Sequence, residues 1–481
     1  MYDSFIIAVL LGYLIVGAGL VIILRGTRGV MAALVIGWLF LPPARGINLP
    51  GIPEFTKEFS VSYAVLLGVL LSDANRLISF KPRLIDIPMF IWIITPFFSS
   101  ITNGLGVYDG LSTIYFNFFV FGVPYFLGRI FIRNPDDVRT VAIWFILAGL
   151  IAVPMALWES RMSPQLNHTL YGYYASPFHM AQRLGGYRPT LFMRHGLEVG
   201  LWMATSSAVA LWLWITTSKQ IKIFNYPLPI FAMIVLGTTI LCRSLGALIL
   251  IAGTTSTAFF VRTTGLRFAL ITLVLVPGVY QSIRISNVWA PDQILEIIRS
   301  YDEDRASSLE SRLQQELDIA QHALQKPLFG WGGFNRYRPS DDQGEVHAVD
   351  GMTTITFGKN GLVGLIAFMS LTALPSLLII IRIKGRAITT AVWAPAIGIM
   401  LGLAIFSIDM MFNAFYSPLH IAGIGVLSTV AVQLKQWQRK MKVHHQLFVH
   451  QTHTNAQSNN SGNGASIHTE SRTQRKQRRA G

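Results

Sequence analysis

The stretch Phe5-Ile-Ile-Ala-Val-Leu-Leu-Gly-Tyr-Leu-Ile-Val-Gly-Ala-Gly-Leu-Val-Ile-Ile-Leu24 runs without a single charged residue. A hydrophobic block of roughly 18 residues or more is long enough to cross the bilayer core as a helix. Comparable blocks recur at Val141–Trp158, Leu197–Ile215 and Gly361–Ile381. Over all 481 residues, 52% are hydrophobic and only 13% charged, whereas soluble domains carry roughly 25% charged residues. A soluble α/β enzyme would alternate short strands with amphipathic helices, and that pattern is missing. The sequence therefore predicts an all-α integral membrane protein.

Thirteen spans are predicted: Phe5–Leu24, Val30–Leu41, Val61–Leu71, Ile85–Phe98, Leu111–Phe126, Val138–Leu157, Leu197–Thr216, Leu228–Leu241, Leu245–Phe260, Phe268–Ile283, Met352–Ile381, Ala391–Met411 and Pro418–Val432. Several are short, so the count stands at 12–13 transmembrane helices. Basic residues test the order, because cytoplasmic connections carry an excess of Lys and Arg. Arg25/Arg28, Arg76/Lys81/Arg83, Arg129/Arg133/Arg139, Lys219/Lys222, Arg262/Arg267 and Arg382/Lys384/Arg386 occupy alternate connections. They face the cytoplasm together only if the N-terminus is outside and the C-terminus inside. Two long loops, 159–196 and 286–351, then lie outside, within a membrane domain spanning 1–433.

The formal net charge of +15 is thereby assigned to membrane topology and anionic lipid rather than to nucleic acid. The single cysteine, Cys242, allows no intrachain disulfide and no thiolate zinc site. Met1–Ser4 lacks a basic n-region, so the first block is expected to be a retained helix rather than a cleaved leader. Residues 434–481 turn polar and end Arg472-Thr473-Gln474-Arg475-Lys476-Gln477-Arg478-Arg479, a composition expected to form a disordered basic cytoplasmic tail. His444, His445, His450 and His453 in that tail lack thiol or acidic companions, so no metal is expected. No internal repeat is evident, which disfavours transporters assembled from repeated halves.

Within the second outer loop, Ser307-Ser308-Leu309-Glu310 fits a capping box with Ser307 as the N-cap. Leu309, Leu313, Leu317, Ala320 and Leu324 follow at helical spacing, and Pro327 ends the run. The expectation is an amphipathic helix packed over a cavity, the alternative being one that lies passively in the membrane interface.

Arginines on the predicted outer side run against the topology bias and are therefore informative. Arg183-Leu-Gly-Gly-Tyr-Arg188-Pro-Thr-Leu-Phe-Met-Arg194-His195-Gly-Leu-Glu198 packs three guanidiniums, an imidazole and a carboxylate into an apolar region. Guanidinium forks match phosphate oxygens and stay charged near lipid. Arg188 and Arg194 are candidate diphosphate ligands, with His195 and Glu198 as weaker glycan contacts. The alternative is pairing with Glu159, Glu198 or headgroups. Arg243, in a tight turn between two spans, and Arg312, on the loop helix, complete the diphosphate set; for Arg243 the alternative is snorkelling to the headgroups. In Pro327-Leu-Phe-Gly330-Trp331-Gly332-Gly333-Phe334 the glycines would let backbone N–H groups approach a ligand, and Trp331 offers a face to a sugar, unless the segment is only a turn. Asp341-Asp342-Gln-Gly-Glu345-Val-His347-Ala-Val-Asp350 supplies His347 and Asp350 as candidate general bases for an acceptor hydroxyl. The same run could bind a divalent cation, and Asp341 and Asp342 read better as a solvated loop. Asp409 and Asn413 are polar residues in an apolar block, placed either in the same cavity or in structural hydrogen bonds.

Taken in order, these motifs resemble the O-antigen ligase and O-antigen polymerase-like superfamily of bacterial membrane glycan transferases. The resemblance rests on Arg188-Pro-Thr…Arg194-His195-Gly-Leu-Glu198, on Arg243-Ser244, on Arg312 followed by Pro327-Leu-Phe-Gly-Trp-Gly-Gly-Phe334, and on Phe357-Gly-Lys-Asn-Gly361-Leu-Val-Gly364, across about residues 85–432. It implies a large outer loop lidding a cavity and transfer of a glycan from an undecaprenyl diphosphate carrier to a saccharide acceptor. Neither a nucleotide sugar, a metal nor another cofactor is implied. Arginines would bind the diphosphate and a loop histidine would act as base. The family often carries His-Asn about eleven residues before its Gly-Leu-x-Gly element. Here Asp350-Gly351 fills that slot and His347 lies three residues earlier, so either could serve, or neither. The expectation is an inverting glycosyltransferase of the bacterial inner membrane, with an exopolysaccharide or capsule polymerase the preferred subtype. It would act outside the cytoplasm, beside other polysaccharide-assembly proteins. A flippase for lipid-linked oligosaccharides is the alternative.

Overall fold

The computed structural model describes residues 2–48, 50–183, 185–217, 221–288, 292–339, 350–383, 385–441 and 443. His347, Asp341, Asp342 and Glu345, and the tail from 444 onward, lie outside the described residues. The chain divides into two units, residues 1–431 and 432–481, the first of which contains the whole of the candidate site.

The protein is an all-α integral membrane protein. Ten described helices are long and apolar enough to cross a membrane, and three more are shorter and apolar. The helices are α1 (Tyr2–Leu24), α2 (Gly26–Phe40), α3 (Lys57–Ile78), α4 (Ile87–Thr102), α5 (Val107–Asn117) and α6 (Val123–Phe131). Then come α7 (Pro135–Met162), α8 (Leu166–Tyr171), α9 (Gly196–Thr217), α10 (Leu228–Leu241), α11 (Leu245–Thr264) and α12 (Phe268–Ile285). Finally there are α13 (Asp292–Arg299), α14 (Glu303–Leu324), α15 (Met352–Arg382), α16 (Ala394–Asp409) and α17, which starts at Pro418. α5 and α6 form one span across a π-helical turn at Phe118–Gly122. Each of the thirteen predicted spans coincides with one of these apolar helices.

Local chemistry sets the ends. α7 starts at Pro135 behind Asn134, whose side chain accepts from the Asp137 N–H at 2.9 Å, an N-cap with proline in the first turn. α11 stops at Gly265, which takes φ +74°, the left-handed cap that glycine adopts without strain.

The helices run alternately between two ends of the bundle. One, the site end, gathers the 41–56 connection, residues 163–195, the 242–244 turn, α13, α14 and the 410–417 turn. At the opposite end several predicted topology arginines are engaged inside the protein. Arg129 is buried and forms a two-pronged pair with Asp86 at 2.6 and 3.0 Å. Arg267 donates to the carbonyls of Ile380 and Ile383 at 2.9 and 2.5 Å, satisfying the C-terminal acceptors of α15.

α14 corrects the predicted cap. It starts at Glu303, so Ser307 lies inside the helix and is not its N-cap. Asp302, a good N-cap residue type, immediately precedes the helix, and its carbonyl accepts from Ala306 N–H at 3.1 Å. The buried face is also shifted, to Ala306, Leu313, Ile319, Ala320 and Ala323, while Leu324 is exposed. Ala320 and Ala323 pack with Phe357 and Leu365 of α15.

α15 is broken at Gly361, whose φ of +62° and ψ of −164° interrupt the helix. The segment after α14 fills the break. Trp331 and Gly332 N–H donate to the carbonyls of Gly358 and Lys359 at 2.9 and 3.0 Å, and Leu362 and Val363 N–H donate to those of Pro327 and Leu328 at 2.7 and 3.2 Å. A broken helix at membrane depth is stable only where protein groups take over its backbone bonds. This pairing is the physical reason for Gly330 and Gly361: each takes a positive φ, and a Cβ on either would run into the other segment's backbone at 2.4–2.7 Å.

Candidate functional site

The 163–195 segment is anchored by one carboxylate. Glu159, fully buried near the end of α7, accepts N–H bonds from Leu166 at 2.9 Å and from Thr190 and Leu191 at 2.7 Å each. Tyr171 donates to the Phe40 carbonyl at 2.7 Å, and Tyr173 to that of Pro43. Glu159 thus organises the backbone and holds no arginine in these bonds, unlike the alternative drawn from sequence.

Arg188 and Arg243 meet. The β-strand pair Gln182–Arg183 and Gly186–Tyr187 turns the chain back beneath the 242–244 turn. Arg243 Nη1 donates to the Arg183 carbonyl at 2.9 Å, and Arg188 Nη2 to the Arg243 carbonyl at 3.3 Å. Gly186 is what admits the Arg243 head: a Cβ there would sit 1.9 Å from Nη1. Arg188 Nε is buried with no hydrogen-bond partner. Burial first, then the nearby charge of Arg183, pulls the Arg188 pKa below its ordinary value. The Arg188 guanidinium thus rests on the backbone of the Arg243 turn, and a part-buried cation whose Nε lacks a hydrogen-bond partner has the character of an anion site.

Arg194 has turned elsewhere. Its Nη2 donates to Glu58 Oε1 at 2.7 Å, and the guanidinium lies 5.2 Å from the centre of the Tyr416 ring. Its backbone N–H donates to Glu198 Oε2 at 2.9 Å. Lys57, also buried, donates to the Phe192 carbonyl at 3.0 Å. Lys57, Glu58 and Glu198, all buried, and the half-buried Arg194 form a cluster of two cations and two carboxylates, in which Arg194 already has its counter-charge. Sequence reading missed Lys57 and Glu58; charges at the first turn of an apolar span were the available signal.

His195 is half-buried and stacks on Phe415 at 5.9 Å. Its Nδ1 accepts from Leu197 N–H at 3.1 Å, so the neutral ring carries its proton on Nε2. Burial, reinforced by Arg188, lowers its pKa.

Beside this end lies a cavity of about 640 Å³. Leu197, Leu245, Ile249, Leu309 and Leu313 give it apolar walls, and Arg312, Glu316, Asp350, Asp409 and Asn413 are among its charged and polar members. Arg312 and Asp350 pair at 3.6 Å, both more than half exposed. Asp409 is buried; its Oδ1 accepts from Asn413 Nδ2 at 2.9 Å, and its Oδ2 has no hydrogen-bond partner. The turn after α16 docks on the start of α15, where Met352 N–H donates to the Asn413 carbonyl and Thr353 N–H to that of Met410, each at 3.2 Å. Gly351 permits this approach, because a Cβ would lie 2.3 Å from the Met411 oxygen.

α14 is fixed over the cavity by buried polar contacts. Arg284 of α12 donates to the Leu313 carbonyl at 2.6 Å and lies 3.4 Å from Glu316, which also accepts from the Tyr280 hydroxyl at 2.8 Å. Burial raises the Glu316 pKa, with Tyr280 and Arg284 opposing it.

Of the predicted residues, Arg312, Asp350 and Asp409 line the cavity, and Arg188 reaches the backbone of Arg243 at the turn leading into its Leu245 wall. Arg194 and Glu198 belong to the buried cluster. Trp331 corrects the sequence reading: it stacks on His322 at 4.3 Å with Lys326 over its ring, and donates to the His322 carbonyl at 2.8 Å. In the same turn, the Trp331 and Gly332 N–H groups are taken by α15 and the Gly330 N–H by the Lys326 carbonyl. Among the described residues no group of three or more His, Cys, Asp or Glu side chains gathers as a metal site. No protein-family model matches the chain, and no curated protein is similar to it at a significant level.

Proposed function

We propose that this protein transfers a glycan from a polyprenyl-diphosphate carrier to a hydroxyl of a saccharide acceptor. It would do so on the outer face of a bacterial inner membrane, during assembly of an exopolysaccharide, capsule or O-antigen. The observation that carries this reading is the Arg188 guanidinium, set against the backbone of the Arg243 turn, next to a roofed, mainly apolar cavity that also holds carboxylates. The donor has the same three parts: an apolar tail, a diphosphate and a polyhydroxylated head. In the reaction the bond from the sugar C1 to the diphosphate oxygen breaks as the acceptor oxygen attacks, and negative charge builds on the leaving diphosphate. Fixed guanidiniums aimed at that charge in a low-dielectric setting stabilise the transition state. α14, held by Arg284 and Tyr280, excludes water that would otherwise hydrolyse the donor. The basic residues on alternate connections support placing the site end outside.

Deletion of the gene tests the reading against lipid transport. A transferase mutant accumulates single lipid-linked glycan units outside the cytoplasmic membrane and makes no polymer or ligated product. Accumulation of the same units on the inner face would instead identify a flippase.

A further inference from the structure

The proposed transfer needs a group that takes the proton of the acceptor hydroxyl, and among the described residues the candidates are Glu316, Asp350 and Asp409, which line the cavity, and His195, two residues before its Leu197 wall. Both oxygens of Glu316 have donors, Tyr280 and Arg284 on one side and Thr354 at 3.4 Å on the other. Asp350 is more than half exposed and paired with Arg312. His195 accepts a backbone N–H at Nδ1, leaving a donor at Nε2. Asp409 differs from all three. It is more than nine-tenths buried yet lines the cavity, and one of its carboxylate oxygens has no hydrogen-bond partner. A buried acceptor left unmatched is unfavourable, so it is a site that a bound donor group would satisfy. Its orientation is fixed: Asn413 holds Oδ1, and the 410–413 turn that follows is bonded to the first turn of α15.

Resting on the transferase reading, we infer that Asp409 is the general base, with Asn413 its positioning residue. The acceptor O–H donates to Oδ2; as that oxygen forms its bond to the sugar C1, the proton passes to the carboxylate. The C1–O bond to the diphosphate breaks, and its electron pair leaves with the lipid diphosphate. Configuration at C1 inverts, and Asp409 then returns its proton to solvent.

The test uses the full-length protein in lipid nanodiscs with a synthetic polyprenyl-diphosphate oligosaccharide and a saccharide acceptor. It measures donor binding, thermal melting and transfer for the wild type, D409N and D409E. General-base catalysis contributes roughly 10²–10⁴-fold, and D409N is expected to lose transfer by that factor while donor binding and melting stay close to wild type. D409E, which restores a carboxylate, recovers part of the rate. Transfer by D409N at the wild-type rate overturns the assignment alone. Loss of donor binding and melting together with transfer also overturns it, by making Asp409 structural. No transfer by the wild type, with acceptor and donor both present, overturns the transferase reading and this assignment with it.

Discussion

Arg194 is bound to Glu58 across 136 positions of sequence, its Nη2 donating at 2.7 Å to a carboxylate in the first turn of α3. The pair joins the loop before α9 to a helix far upstream and gives Arg194 its counter-charge. On the proposed reading, Arg188 and Arg243 remain the candidate diphosphate ligands, with Arg194 holding the loop that carries Arg188.

The first expectation concerns that division. Replacing Glu58 with Gln leaves Arg194 half-buried without its counter-charge, and a buried charged group short of a partner costs on the order of 2 kcal/mol. E58Q should lower the melting temperature measurably. R243A, removing a side chain at the loop edge, should melt close to wild type and lose transfer. Equal melting of E58Q and wild type would remove the structural role assigned to Glu58.

Gly186 is a more selective probe. A Cβ at this position meets the far end of the Arg243 side chain, 1.9 Å from Nη1, and that end can swing aside. G186A should therefore fold normally yet displace the guanidinium. Misplacing a catalytic group by about 1 Å can cost roughly 10²-fold in rate. A G186A variant with unchanged transfer would show that the position of Arg243 is not critical.

The dock of α14 rests on Arg284, which is only 3% exposed. R284M leaves Glu316 buried without its cation, and breaking one side of such a pair costs on the order of 3 kcal/mol. Limited proteolysis should then cut within residues 286–351 at protease levels that spare the wild type. Identical protection would place the stability of α14 in its apolar face alone.

His195 predicts a pH dependence. Burial and Arg188 lower its pKa from the ordinary value, so the folded state binds this proton less readily than the unfolded state. The stabilisation is complete above the ordinary histidine pKa, near 6.5, and is lost as pH falls through the lowered value. H195Q removes this titration, so its melting temperature should fall less on acidification from about pH 8 to pH 5. A slope equal to that of the wild type would exclude His195 as a contributor.

Much of this architecture was legible because a bilayer imposes long apolar runs. All thirteen spans, down to the short Leu228–Leu241, could be placed by hydrophobicity alone. The loop helix was visible from its spacing, but its start was misread: Ser307 fitted a cap, and the equally suitable Asp302 lay one turn earlier. The glycine-rich segment Gly330–Gly333 showed a need for close backbone approach. Its partner, the break in α15 at Gly361, is a tertiary pairing that the local pattern did not name. In the same way, outward arginines could be picked out by sign and position, whereas the choice of Glu58 by Arg194 depends on which helices pack together.

The decisive measurement is glycan transfer by the purified, reconstituted protein, with release of polyprenyl diphosphate followed for the wild type and R243A. The expected result is acceptor-dependent release by the wild type and a loss of roughly 10²-fold or more in R243A, with membrane insertion intact. Release that is independent of Arg243, or no release by a correctly folded wild type, would contradict the role given to Arg243.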